Sequence, residues 1–213
     1  MKPVVLFDLD GTLIDSTEAI LESFGVAFSR FKKVTPKEEL IKAQIGHTLE
    51  DMFMALGVDK EIVNDYVDSY KEHYRRVSCE KTILLPFAKD AIKEAHEFAT
   101  LGIVTTKTGR FSRELLDSMG VMHYFDVLVG REDVINPKPH PEPILKALSK
   151  LSHDKNHSWM IGDTCMDIRS ANASGVNAIG VTSGYSSVEF LLQCESHLFD
   201  DAQKAVNFIK QQY

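Results

Sequence analysis

Cysteine is scarce in this chain of 213 residues: Cys79, Cys165 and Cys194 are the full complement, far apart and without a Cys-x-x-Cys pair. An odd, scattered set predicts neither a disulfide framework nor a zinc site, and it fits a reduced, cytoplasmic setting. Positive charge is also in short supply. Lys and Arg number 24 against 31 Asp and Glu, a net charge of −7, so the clustered basic surface that a polyanionic backbone requires is missing and nucleic acid is not an expected partner. Long apolar runs are lacking as well. The N-terminal run in MKPVVLFDLD is broken by Asp8 and Asp10 before a signal-peptide core would be complete. The longest stretch without Asp, Glu, Lys or Arg, 170–188, is rich in Gly, Ser and Asn and reads as no membrane span. No repeat or low-complexity tract is present.

What is there is an ordinary globular composition, 44% hydrophobic and 26% charged, over a length at which folding hides roughly 70% of the unfolded surface. A core can form without staples. Residues 4–7 are a short β-branched and aromatic run that ends in Asp-Leu-Asp-Gly-Thr and reads as a buried strand entering a turn. The texture then becomes helical over 15–80. Asp15 with Glu18 can cap a helix whose face carries Ile20, Phe24, Ala27, Phe28 and Phe31, and Thr35-Pro36-Lys37-Glu38 has the form of a capping box. Thr48 starts a third helix, and Asp59 a long fourth one bearing Ile62, Val63, Tyr66, Val67, Tyr70, Tyr74 and Val77, which makes a small bundle.

After Pro86 strands and helices alternate. Helices are expected over 87–98, 112–119, 141–151, 167–173, 188–192 and 202–210, with strands over 101–105, 126–129, 158–161, 178–181 and 197–199. Such alternation with apolar strands predicts an α/β fold, a doubly wound parallel sheet, into which the helical block over 15–81 is inserted just after the first strand. Ligands of these sheets lie beyond the carboxyl ends of the strands. Four strand ends carry reactive groups: Asp8 and Asp10 in DLDGT, Thr105 and Thr106 in GIVTTK, Lys138 in NPKPHPEP, and Asp163 and Asp167 in IGDTCMD.

Four carboxylates converging in one crevice repel unless a hard cation holds them, and oxygen-only ligands favour Mg²⁺ over zinc or copper. A Lys and a hydroxyl at neighbouring strand ends supply donors for phosphoryl oxygens. One carboxylate can attack phosphorus to form an acyl phosphate, and a second, two residues on, can protonate the leaving oxygen and later deprotonate water. The chemistry indicated is phosphoryl transfer.

Taken in order, Asp8-Leu9-Asp10-Gly11-Thr12, Thr105 after a hydrophobic strand, Lys138-Pro139, and Gly162-Asp163-Thr164 with Asp167 resemble the haloacid dehalogenase superfamily, in its phosphoglycolate-phosphatase-like branch. The resemblance covers the whole chain and implies a Rossmann-like core, 1–14 and 82–213, with an all-helical cap over 15–81. It implies that Asp8 is the nucleophile and Asp10 the general acid/base. Mg²⁺ would be held by the Asp8 carboxylate, the Asp10 carbonyl and Asp163, with Asp167 positioning ligands or metal waters. Thr105 and the backbone at Leu9 and Thr106 would bind phosphate, Lys138 would neutralise Asp8, and Gly46 and His47 in IGHTLED would occupy the substrate-specificity loop. His140 and Cys165 read as structural or incidental. The expected activity is a Mg²⁺-dependent phosphatase acting on a small phosphorylated metabolite, phosphoglycolate first, through an aspartyl phosphate. An inorganic pyrophosphatase of the same branch and a phosphosugar mutase remain open, as does a monomeric or homodimeric state.

Overall fold

The computed structural model describes residues 2–151, 155–194 and 197–213. Two compact units are present: one comprises the chain up to Asp15 and from Leu84 to Tyr213, the other Ser16–Ile83.

The first unit is built on β1 (Val4–Phe7), whose four residues Val-Val-Leu-Phe are all buried. A strand that is apolar on both faces belongs in the middle of a parallel sheet covered on each side by helices. The short strands β2 (Ile14–Asp15) and β3 (Ile83–Leu84) mark where the chain leaves and re-enters this unit. The sheet strands that follow are β4 (Thr100–Val104), β5 (Val127–Val129), β6 (Ser158–Gly162), β7 (Asn177–Val181) and β8 (Leu198–Phe199). Six strands run parallel in the order β5-β4-β1-β6-β7-β8. The chain winds from β1 outward through β4 and β5, then returns to the other side of β1 at β6. This reversal opens the crevice in which ligands of doubly wound sheets lie. Register sharpens the placement: Phe7 pairs with Ile103 on one side and Ile161 on the other, so the residues just beyond β1, β4 and β6 emerge together.

Side-chain alternation along β1 feeds two cores. Val5 and Phe7 pack with Ala91, Ile92 and Ala95 of α5 (Ala88–Phe98), Leu115 of α6 (Gly109–Ser118) and Val206 and Ile209 of α10 (Ala202–Lys210). Val4 and Leu6 pack with Ile144 and Leu148 of α7 (Glu142–Leu151) and Ile168 and Ala171 of α8 (Cys165–Ser174). A short α9 (Val188–Leu191) follows β7.

Two helix starts in this unit differ from the sequence reading by more than one residue. The α6 helix begins three residues early, at Gly109, because the Glu132 carboxylate accepts the Gly109 and Arg110 amides and supplies a start that no local residue signals. The α8 helix begins at Cys165, with Thr164 and Asp167 forming the capping box, so Asp167 is the third residue of that turn rather than the first.

The second unit contains α1 (Thr17–Arg30), α2 (Glu38–Lys42), α3 (Leu49–Ala55) and α4 (Val63–Val77). Its core is aromatic: Phe24 lies 4.5 Å from Phe53 and 5.1 Å from Tyr70 between ring centres, and Phe31 stacks on Tyr66 at 4.2 Å. Thr48 caps α3 by accepting the Asp51 amide. Three expected helix starts shift. Neither Asp15 nor Thr35 caps a helix: Ser16 precedes α1, and α2 begins after Lys37 with no side-chain cap. Asp59 opens a turn that closes on the Ile62 amide, and α4 follows it. Ile62 consequently faces outward, at 40% exposure. Among the described residues no helix is long and apolar enough to cross a membrane.

Candidate active site

The site grows from the end of β1. The Asp8 amide still donates to Ile161 at 3.0 Å, continuing the parallel ladder one residue beyond the strand, and the Leu9 carbonyl then gathers the amides of Thr12, Leu13 and Ile14 into a tight turn. Gly11 sits in that turn at φ +81°, where a side chain is strained, and any Cβ there would strike the Asp163 carboxylate. The Leu9 side chain is sealed in the core, so only its backbone can meet a ligand. At the neighbouring strand end Asp163 is equally confined. Its Oδ2 accepts the Tyr185 amide at 2.9 Å, its Oδ1 accepts the Thr12 hydroxyl at 3.4 Å, and the Ser183 hydroxyl fastens the same loop to the Gly11 carbonyl at 2.9 Å.

Lys138 crosses beneath these groups and is only 3% exposed. Its Nζ stands 2.9 Å from Asp8 Oδ1, donates to Asp167 Oδ1 at 2.5 Å and donates to the Val104 carbonyl at 2.9 Å. Asp167 is fully committed by this geometry, since its Oδ2 accepts both the amide and the hydroxyl of Thr164 at 3.1 and 2.7 Å. It reaches the crevice as a support for Lys138 and for its own helix start.

Carboxylate oxygens of Asp8, Asp163 and Asp167 come within 4.8 Å of one another, and all three residues are buried. One ammonium faces three carboxylates. Burial pushes the Asp8 carboxyl up to about 6, against the pull of Lys138 and with the Asp167 charge adding to the rise. Burial likewise holds Asp163 well above the usual carboxylate range, helped by the negative charge of Asp167 and Asp8. Burial alone would lower Lys138, but Asp167 and Asp8 outweigh it and raise it. A buried, oxygen-only donor set with surplus negative charge fits a hard divalent cation and not a soft one.

Asp8 binds its proton more tightly in the folded chain than at its ordinary value of 3.8, so its contribution to metal-free stability falls as pH rises from that value to about 6. Metal ligands must be ionised, so Mg²⁺ is expected to raise Tm clearly at pH about 7.5 and much less at pH about 5. Thermal melts with and without Mg²⁺ at both values check this; equal shifts would contradict it.

The Asp10 carboxylate is not part of the buried trio. It pairs with Lys107 at 2.9 Å, and the Lys107 amide donates to Thr105 Oγ1 at 3.2 Å. Thr105 is buried and Thr106 half-buried at the end of β4. Gly46 and His47 lie in the helical unit, Gly46 at φ +104° and His47 exposed with its Nδ1–H donating to the Gln44 carbonyl at 3.1 Å. His140 is structural in its contacts: its Nδ1 accepts the Glu142 amide and its carbonyl accepts the Ser170 hydroxyl.

One expectation is overturned. Cys165 and Cys194 form a disulfide, with Cα atoms 5.7 Å apart. Twenty-nine residues separate them in sequence, and only the return of the chain through α9 to the start of α8 brings them together, which spacing alone does not reveal. Two contributors carry weaker signals in the sequence, Lys107 on Asp10 and the Ser183–Tyr185 loop on Asp163. Lys107 had a visible signal in its position directly after Thr105-Thr106; the loop had none beyond Gly184, whose Cβ would collide with Asp163.

A crevice of carboxylates at the ends of parallel strands, backed by a buried lysine and a threonine, defines a hydrolase of the phosphoryl-transfer type. The chain belongs to the haloacid dehalogenase-like hydrolases, whose family model matches residues 5–181, and it is a phosphatase within that family. It is 36% identical to "Pyrophosphatase PpaX" of Bacillus pumilus, over 89% of this chain and 87% of that protein. It is 31% identical to "Phosphoglycolate phosphatase" of Salmonella typhi, over 93% and 88%. The crystal structure of a haloacid dehalogenase-like hydrolase from Bacteroides fragilis superposes with a TM-score of 0.91 at 28% identity, covering 96% of this chain and 100% of that one.

Proposed function

We propose that this phosphatase is Mg²⁺-dependent, cleaves a small phosphate monoester through an acyl phosphate on Asp8, and takes phosphoglycolate as its first substrate. The observation that carries the reading is the Asp8 carboxylate held 2.9 Å from the buried Lys138 ammonium at the end of the central strand. Asp8, Asp163 and the Asp10 carbonyl would hold the metal, which when bound supplies positive charge against the carboxylates and the phosphoryl oxygens.

The chain's own groups perform the steps. An Asp8 oxygen attacks phosphorus as the bond to the leaving oxygen breaks, and Asp10 gives that oxygen a proton. Thr105 and the backbone amides at Leu9 and Thr106 orient the phosphoryl oxygens. Water then attacks the phosphorus of the acyl phosphate, Asp10 takes its proton, and Asp8 is released with inorganic phosphate. Lys138 balances the Asp8 charge before attack and after release, and its burial keeps it in place. Nucleophile and acid differ in setting: Asp8 is in a dry, lysine-backed pocket, whereas Asp10 is at its mouth.

The relative named phosphoglycolate phosphatase supports the substrate, and the one named pyrophosphatase makes pyrophosphate the second reading. A metabolite panel ranked by kcat/KM with Mg²⁺ and with chelator tests both. Phosphoglycolate is expected to lead, with activity abolished by chelator; a leading sugar phosphate or nucleotide would contradict the substrate, and full activity in chelator would contradict the metal.

A further inference from the structure

Lys107 has no part in these steps, yet it belongs to the same crevice. Its Nζ stands 2.9 Å from Asp10 Oδ2, and the two side chains are only 10% and 12% exposed. That distinguishes the pair from a solvated one such as Arg110–Glu114, at 69% and 44%, where water screens most of the attraction. Lys138 cannot serve in the same way, because Asp8, Asp167 and the Val104 carbonyl occupy its ammonium. The backbone of Lys107 is fixed too, through its amide bond to Thr105 Oγ1, so the side chain starts from the phosphate-binding strand end and reaches toward Asp10.

Position then decides role. In an in-line displacement the leaving group lies opposite the attacking Asp8 oxygen, and Asp10 addresses the leaving oxygen from within about 3 Å. A cation in contact with Asp10 is therefore near the leaving-group side, within about 6 Å of the scissile oxygen where one Asp10 oxygen makes both hydrogen-bond contacts and within about 8 Å where its two oxygens divide them. An anion bonded to that oxygen directly or through a single carbon falls within reach of Lys107, and a compact ammonium suits either a carboxylate or a phosphate.

We propose that Lys107 is a specificity-determining residue that reads a second anionic group on the leaving group, bonded to the scissile oxygen directly or through a single carbon. The inference rests on the phosphatase reading and on the place of Asp10 in it. It makes the preferred substrates small dianion-plus-anion compounds, a carboxymethyl phosphate or an inorganic diphosphate, over esters of neutral alcohols. Lys107 exchanges one carboxylate partner for the substrate's anion and transfers no proton.

The test compares wild type, Lys107→Met and Lys107→Arg on three substrates with Mg²⁺: phosphoglycolate, pyrophosphate, and 2-hydroxyethyl phosphate, which replaces the carboxylate with a neutral hydroxymethyl group of similar size. Wild type is expected to favour at least one anionic substrate over the neutral ester. Lys107→Met is expected to lower kcat/KM for that substrate by roughly 100-fold and for the neutral ester by about tenfold less, with Lys107→Arg restoring part of the preference. The same loss on all three substrates would overturn the inference, because Lys107 would then act only by holding Asp10. So would a wild type without preference, or an unchanged preference in Lys107→Met. A wild type that releases phosphate from none of the three, nor from an aryl phosphate, overturns the phosphatase reading itself and is thereby told apart.

Discussion

Asp8→Asn is expected to lower Mg²⁺-dependent phosphate release from an aryl phosphate by at least about 10⁴-fold, the scale seen when a covalent nucleophile is removed, while the protein stays folded. The amide nearly matches the carboxylate in shape but cannot attack phosphorus. Stability should be hardly affected, for a physical reason visible in the site: burial already pushes the Asp8 carboxyl up to about 6, so the ionised form is the costly one at neutral pH. Lys138 meanwhile keeps Asp167 and the Val104 carbonyl as partners. Melts of the metal-free proteins should agree within a few degrees, and circular dichroism should be unchanged. Activity in Asp8→Asn close to that of wild type would remove Asp8 as the nucleophile.

Lys138→Met has the opposite profile: a large effect on both stability and activity. Methionine fills most of the lysine's volume but leaves Asp8 and Asp167 buried without their cation. Breaking a buried ion pair in this one-sided way costs about 3–5 kcal/mol, on the order of 10 °C in Tm for a chain of this size. The pH dependence gives the cause away. Without the ammonium the Asp8 carboxyl rises further, so the folded chain binds its proton more tightly than the unfolded one over a wider range. The variant's metal-free stability should therefore climb as pH falls from about 7.5 toward 5, narrowing its deficit against wild type. A deficit independent of pH would mean that lost packing, not unpaired charge, is the cause. Phosphate release should fall by at least about 10³-fold, since the charge that balances Asp8 is gone.

How far the sequence discloses this molecule depends on the length scale of the signal. The sheet is legible because its strands are short, apolar on both faces and regularly spaced between helical segments, as Val4–Phe7 shows at the centre of the order β5-β4-β1-β6-β7-β8. The nearness of Asp8, Asp163, Asp167 and Lys138 is legible for a related reason: Asp8 and Asp163 follow strands whose ends the topology brings to one edge, Asp167 lies in the first turn of the helix after one of them, and Lys138 lies in the loop beyond β5. Features governed by contacts remote in sequence are not. The α6 start depends on Glu132, twenty-three residues beyond Gly109, and the Cys165–Cys194 bridge depends on the path of α9. The capping pattern Thr35-Pro36-Lys37-Glu38 is present as letters, yet the helix begins at Glu38 with no side-chain cap; local propensity of this kind is worth only about 1 kcal/mol and yields to packing. The chemistry at Asp10 falls in between. Its acid/base role is suggested by spacing, but its partner Lys107 emerges only when β4 is placed beside β1.

The proposed reaction passes phosphate through a covalent bond to Asp8. The most direct measurement is a single turnover with phosphoglycolate and Mg²⁺, quenched with borohydride, which reduces an acyl phosphate to the corresponding alcohol, followed by mass spectrometry of the peptides. Substrate-dependent reduction at Asp8 and at no other carboxylate is the result expected. Reduction at Asp10 or Asp163 instead, or turnover with no carboxylate reduced at all, would contradict the account.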